Sequence, residues 1–487
     1  MKKNNKVLII IAIAIFGLII FLLMGMMRGN NPVMTPPIQI PYPKLDENAP
    51  YTQRIFDRSC MHEINIEISR NDWEDLIANP LAKKKYKIDV IIDGIKLKNV
   101  SFKTKGNSSL KNVATGPSEG PASRRFSFKI GFGDYEKKQT YYGLDTLHLN
   151  NLYGDATYLN DLVSYEAFRE LGIASPLISF AYIKINGNNF GLYSIVEGID
   201  NSFLERNHLS GNLYKPEQID REASSATLVY TDDNISNYSD ILDSAQNIIT
   251  KEDKVRLVQS IKKLNMKEDL DSVLDINEII RYFAVHNFLL NYDSYTGKSI
   301  HNYFLLEKDG MLSMIPWDYN LSFGRFNMSE DINAIVNYGI DSPLNRAENE
   351  NRPMWEWIIQ NKEYKEKYHK AINELITNYF ESDKFNNLVD STYSTIKPYL
   401  ELDVSFFYTQ DQVEKGIETL KEFCSKRTES IRKQLDGKLS TITTEQIETD
   451  RINASSINLE DMGLVADDSL MKEENENNDR NHDEKKR

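Results

Sequence analysis

The stretch IPWDYNLSFG delivers one carboxylate, Asp318, at the end of the apolar run MLSMI and among Trp317, Tyr319 and Leu321. A carboxylate on a buried strand is costly unless a donor cluster, a base or a metal partners it. Upstream, NYDSYTGKSIHNYFLLEKDGMLSMIPWD holds Asp293 in a polar loop and Asn302 just before the strand YFLL. Asp309-Gly310 turns the chain back along MLSMI, so an antiparallel hairpin would bring Asn302 near Asp318, with Asp293 just beyond them. Two carboxylates and an amide converging there form an oxygen-rich site suited to Mg²⁺ rather than zinc. The plainer alternative is that Asp293 caps the loop while Asn302 satisfies backbone groups. Their shared position at the rim of one hairpin weighs against it.

Glu166 lies in YLNDLVSYEAFRELGI, four residues after Leu162 and three after Val163, on or beside an apolar helical stripe. It is either a stripe edge reaching water or one half of a buried ion pair with a lysine on a neighbouring strand. Lys129 in RRFSFKIGF is the candidate partner: alternation puts Phe126 and Phe128 on one strand face, with Ser127 and Lys129 on the other.

The elements that must carry these residues follow from periodicity. HEINIEIS alternates, YKIDVIIDGIKLKNVSFKTKG gives two runs around Asp93-Gly94, and ISFAYIKINGNNFGLYSIVEGID reads as a hairpin turning at Asn186-Gly187. DINEIIRYFAVHNFLLNY is a strongly apolar helix, and the chain from about 355 to 435 has helical spacing throughout. A strand-rich first half with one early helix, followed by a helical second half, predicts an α+β protein of two lobes.

The chain has 487 residues and a formal charge of −14, which argues against a nucleic-acid partner held by general electrostatics. Its two cysteines, Cys60 and Cys424, lack metal-ligand spacing and read as free thiols. Residues 1–6 are basic, and 7–27 form an uncharged apolar run, enough for a helix of roughly 31 Å that crosses a bilayer. The charge bias predicts a single-pass, membrane-anchored protein with an extracytoplasmic body, and no cleavage site favours a removed signal. Residues 28–51 are a Pro-rich linker, 52–437 the folded domain, and 438–487 a charged tail of disordered composition.

In chain order the parts are a glycine-bearing loop, a strand lysine, a helix glutamate, a hairpin ending VEGID, then Asp, Asn and Asp, which is the order of parts in a protein kinase. The usual signatures are missing: no HRD precedes Asp293, and Asp318 is followed by Tyr-Asn rather than Phe-Gly. FKTKGNSS, RRFSFKI, LNDLVSYEAFRELGIASPLISFAYIKINGNNFGLYSIVEGID and HNYFL followed by MIPWDYNLSFG together resemble the CotH kinase family of spore coat proteins, over about residues 55–430. The resemblance implies an atypical, secretory-kinase-like protein kinase that uses ATP with Mg²⁺ or Mn²⁺ to phosphorylate serines of basic, Ser-rich coat proteins. It further implies Asp293 as the catalytic aspartate and Asp318 as the metal-binding acid, with Asn302 beside it. Order and spacing add Lys129 on the phosphates, Glu166 as its ion-pair partner, and Glu197-Gly198 beside the adenine. A coat or surface scaffold without catalysis is the competing expectation, and a carboxylate-based hydrolase a weaker one.

Overall fold

A computed structural model describes residues 49–116, 124–218, 224–298, 300–327, 330–344 and 351–463. The first strands are β1 (His62–Glu67), β2 (Tyr86–Ile92), β3 (Ile95–Lys105), β4 (Ser127–Gly131), β5 (Thr146–Asn150), β6 (Ile178–Ile185) and β7 (Asn188–Glu197). They close into a barrel in the order β1-β2-β3-β4-β5-β7-β6. Closure comes from β1 lying parallel to β6, with His62 opposite Ala181 and Ile66 opposite Ile185. Period-two alternation fills the interior: Ile64, Ile66, Val90, Ile92, Phe102, Phe128, Leu147, Leu149, Ile183 and Ile195 are all buried. Phe128 is the pivot of that core, stacked on Phe102 at 4.7 Å and on Tyr193 at 6.2 Å.

Three hairpins turn on two residues with both backbones left-handed, the geometry that matches strand twist. They are Asp93-Gly94 (φ 48 and 82), Asn186-Gly187 (φ 51 and 79) and Asp309-Gly310 (φ 52 and 93). The last joins β9 (Tyr303–Lys308) to β10 (Met311–Pro316), and β8 (Asn212–Tyr214) completes the small sheet β10-β9-β8. Helices Ile276–Leu289, Lys362–Leu375, Asp383–Leu400 and Gln410–Leu435 bury apolar stripes in a second core, where Phe288 stacks on Phe380 at 3.9 Å. The chain continues to pack beyond residue 437: Ile452, Ala454, Ile457, Leu459 and Met462 are buried, and Ala156 N–H donates to the Met462 carbonyl.

Two expectations are corrected. The two-lobed protein-kinase-like fold is replaced by a closed seven-stranded barrel on a helical body, because the parallel β1–β6 pairing leaves no open edge in the strand-rich half. Among the described residues no helix is long and apolar enough to cross a membrane. The longest, Gln410–Leu435, is amphipathic and carries Lys and Glu along its outer side. The 7–27 run lies outside the described residues, so nothing in the fold supports the expected membrane anchor or a single-pass, membrane-anchored localisation. Both cysteines are free thiols, Cys424 buried and Cys60 half-buried.

Candidate active site

The outer face of the barrel supplies one wall of a cleft of about 920 Å³. While Phe102 and Phe128 point inward, Lys103 and Lys105 on β3, Lys129 on β4 and His148 on β5 line the cleft. Strand register sets Lys103 directly opposite Lys129, and Lys129 opposite His148. Like charges facing each other across strands are unfavourable unless an anion lies between them. Neither Lys103 nor Lys129 has a hydrogen bond or ion pair among the described residues. Burial pulls the Lys129 ammonium below its ordinary range, against the attraction of Asp200. His148 is held well below its usual value by burial and then by Lys105 and Lys129, so its ring is neutral. That ring packs edge-on to Trp317 at 5.0 Å, and its Nδ1 has no hydrogen-bond partner among the described residues.

After β3 the chain turns at Gly106 (φ +102), where a Cβ would come within 2.9 Å of Ser109 Oγ. A non-glycine residue would be strained there on both counts. The turn leads into the helix Ser108–Thr115, whose cap residue Asn107 makes no side-chain bond to the helix and instead accepts from Lys83 Nζ at 2.6 Å. The first N–H groups of this helix and the β3 lysines thus border the same space.

The opposite wall carries the acids. In the β9–β10 register Pro316 lies opposite Tyr303, which brings Asn302 and Asp318 to the same end of the hairpin. Both residues adopt left-handed backbone, φ +56 in each case. Asn302 Nδ2 donates to the Asp293 carbonyl at 2.9 Å and to its carboxylate at 3.1 Å, while His301 Nε2 lies 2.9 Å from the other carboxylate oxygen. Asp318 is fixed through its backbone, its N–H donating to Tyr165 Oη at 3.0 Å. Its carboxylate has no partner among the described residues. A side chamber of about 60 Å³ leads from Asp318 to Asp161, which accepts from Tyr319 N–H at 2.8 Å. Burial, followed by the charge of Asp318, raises the Asp161 carboxyl to about 8. Lys105 lies with its ammonium 5.8 Å from the Trp317 ring centroid and donates to Asn150 Oδ1, within the field of both acids. Burial lowers its ammonium while Asp318 and Asp161 pull it up.

The cleft therefore gathers Asp293, Asn302, Asp318, Lys129 and Gly198. It does not gather the other two candidates. Glu166 pairs with Arg58 and, at 2.7 Å, with Arg169, in a separate groove lined also by Tyr379 and Lys384. Glu197 is fully buried at the end of β7, bonded to Arg206 at 2.6 Å and accepting from Tyr51 Oη at 2.5 Å. Lys103, Lys105, His148 and Asp161 were missed from the sequence. The alternation of Lys103 and Lys105 with Phe102 and Thr104 carried the signal for the two lysines; nothing local marked Asp161 or His148.

Among the described residues no group of three or more His, Cys, Asp or Glu side chains is placed to hold a metal ion. The oxygen-only pair of Asp318 and Asp161, in which the charge of Asp318 adds to the cost of ionising Asp161, fits a hard cation that completes its shell with phosphate oxygens and water.

The chain matches the family model described as CotH kinase protein over residues 102–431. It is 24% identical over 300 residues to the inner spore coat protein H of Bacillus subtilis (strain 168), an alignment covering 60% of this chain and 77% of that one.

Proposed function

The chain belongs to the CotH kinase protein family, and on that footing we propose that this spore-coat-related protein transfers the γ-phosphoryl group of ATP to serine hydroxyls of a basic, Ser-rich coat-type protein. One observation carries the reading: a single cleft sets Lys103 and Lys129, unpaired among the described residues, against the likewise unpaired Asp318 carboxylate and the Asp161 carboxyl that its charge raises. Phosphoryl transfer asks for little more than positioning and charge neutralisation.

In this scheme Lys129, Lys103 and Lys105 take the phosphates, helped by the first N–H groups of Ser108–Thr115. Mg²⁺ or Mn²⁺ would be held by Asp318 with Asp161 beside it, and when bound supplies positive charge to the phosphate oxygens. Asp293, held by His301 and Asn302, orients the serine hydroxyl. The serine oxygen forms the new bond to phosphorus as the bond to the β–γ bridging oxygen breaks; ADP leaves, and the hydroxyl proton passes toward Asp293. Gly198 leaves room at the cleft edge, where a Cβ would meet Thr146 Cβ at 2.8 Å. The negative net charge of the chain complements a basic protein substrate.

A nucleotide-binding scaffold is the competing reading, favoured by the engagement of both Asp293 carboxylate oxygens. One experiment separates them. The full-length protein is incubated with γ-labelled ATP, Mg²⁺ or Mn²⁺, and a basic Ser-rich peptide. Label transfer that Asp318→Ala abolishes supports the transferase. Nucleotide binding without transfer under either metal overturns it in favour of the scaffold.

A further inference from the structure

One buried titratable side chain outside the cleft touches both segments that carry the cleft's acids. His286 lies in the last turn of the helix Ile276–Leu289 and is 2% exposed. Its Nδ1 is 2.8 Å from Tyr319 Oη, and its Nε2 is 2.7 Å from Thr296 Oγ1. Tyr319 directly follows Asp318, and Thr296 stands in the loop that holds Asp293. Tyr319 and Thr296 are as buried as the histidine between them.

The chemistry of the contact suits a fixed strut. Burial pushes the imidazole down to about 3, so it is neutral and offers one donor and one acceptor. With the proton on Nε2, the ring donates to Thr296 and accepts from Tyr319, whose oxygen lies 3.4 Å from Tyr282 Oη. Each polar atom of the strut then has a partner, as buried groups require. Aromatic rings pack around it: Tyr282 lies nearly parallel at 6.0 Å, and Phe283 edge-on at 6.1 Å. The Asp318 turn is separately held from its other side, by Tyr165 on the Asp318 N–H and Asp161 on the Tyr319 N–H. His286 bridges that turn and the Asp293 loop through Tyr319 and Thr296, beside a longer direct contact in which Asn291 Nδ2 donates to the Asp318 carbonyl at 3.5 Å and a side-chain contact of Ser294 with Tyr319.

We propose that His286 is a positioning residue that keeps the Asp293 loop in register with the Asp318 turn, so that the two carboxylates address one metal–nucleotide. The proposal rests on the phosphotransfer reading above, and its test separates the two. In the full-length protein, Thr296→Val and Tyr319→Phe each remove one arm while keeping side-chain shape; His286→Asn keeps a polar atom near the Tyr319 arm only.

Thr296→Val should lower kcat for label transfer by about 10-fold or more with the Mg²⁺ half-saturation unchanged, and Tyr319→Phe should raise that half-saturation by about 10-fold. Adding His286→Asn to Thr296→Val should cost little further, since both cut the same tie. A merely structural histidine would lower thermal stability and leave kcat per folded molecule and the Mg²⁺ dependence as they were, which overturns the proposal. Amide hydrogen exchange in the ligand-free protein gives a readout independent of activity. His286→Asn should speed exchange both in residues 291–298 and in 316–320. If wild type transfers no phosphate yet exchange rises in both segments, the tie stands and the transferase reading falls. If exchange changes in neither segment, the tie itself is refuted.

Discussion

The side chains of Asp403 and Arg125 have no solvent exposure and face each other at 2.5 Å. Arg125 also donates to the carbonyls of Asn151 and Leu192, and Asp403 accepts from the N–H groups of Leu192 and Ser405, both at 2.9 Å. The arrangement sits where β5 stops: Asn150 is the last β5 residue paired with β7, opposite Ser194, so Leu192 has no strand partner on that side. Asp403→Ala would leave a buried guanidinium uncompensated, at about 3–5 kcal/mol, and strand the Leu192 amide as well. A loss on the order of 5 kcal/mol follows. Many buried ion pairs can be exchanged for apolar residues at little cost. Here Arg125→Met with Asp403→Leu would leave the Asn151 and Leu192 carbonyls and the Leu192 N–H without partners. At about 1–3 kcal/mol each, the double variant should still lose at least about 3 kcal/mol. Equilibrium urea unfolding followed by tryptophan fluorescence reads both values. A double variant within about 1 kcal/mol of wild type would show that the pair is a replaceable ion pair and that the backbone bonds assigned to it contribute nothing.

Other outcomes follow from the same geometry. Gly191→Ala puts a Cβ 2.5 Å from Asp403 Oδ1 and 2.7 Å from Arg125 Nη1, so it should destabilise by about 1–3 kcal/mol in the same unfolding assay. The Asp161 carboxyl rises on folding from 3.8 to about 8, so its contribution to stability is present below about pH 4 and is lost as pH rises through about 8. Melting curves against pH should therefore converge at low pH and favour Asp161→Asn near pH 8 without metal, with Mg²⁺ narrowing the gap; parallel curves would contradict this. Lys129→Met should weaken nucleotide binding by about 10-fold, measured by calorimetry, while a cycle with Glu166→Gln should show no coupling because Glu166 pairs with Arg58 and Arg169.

Much of the acidic wall was legible because hairpins announce themselves: Asp309-Gly310 fixed the register, and the register alone puts Asn302 and Asp318 at one end. Lys129 was legible from strand alternation. Lys105 carried the same signal, but which side of a strand faces a cleft depends on what packs outside the barrel. Asp161 sits at the first turn of an apolar helix, where an acid ordinarily reads as a dipole partner, and only the approach of Asp318 changes its role. Glu166 failed for a related reason: helical spacing put it on a stripe edge but could not say that Arg58, far back in the chain, would reach it first. Barrel closure was invisible because the parallel partners β1 and β6 are separated by four intervening strands and carry no shared turn.

The closing β1–β6 seam also decides where the chain can be cut. The family match begins at residue 102, inside β3, and leaves out β1, β2 and the start of β3. A fragment trimmed to those limits would bare the backbone edges of β6 and β3 and uncover Phe102, Phe128 and Tyr193 at the centre of the barrel. Unprotected edges of that kind recruit one another between molecules. It would also lose Ile452 to Met462, which cover the helical core. Such a fragment should aggregate on expression, and its inactivity would report on the missing strands rather than on the chemistry of the cleft.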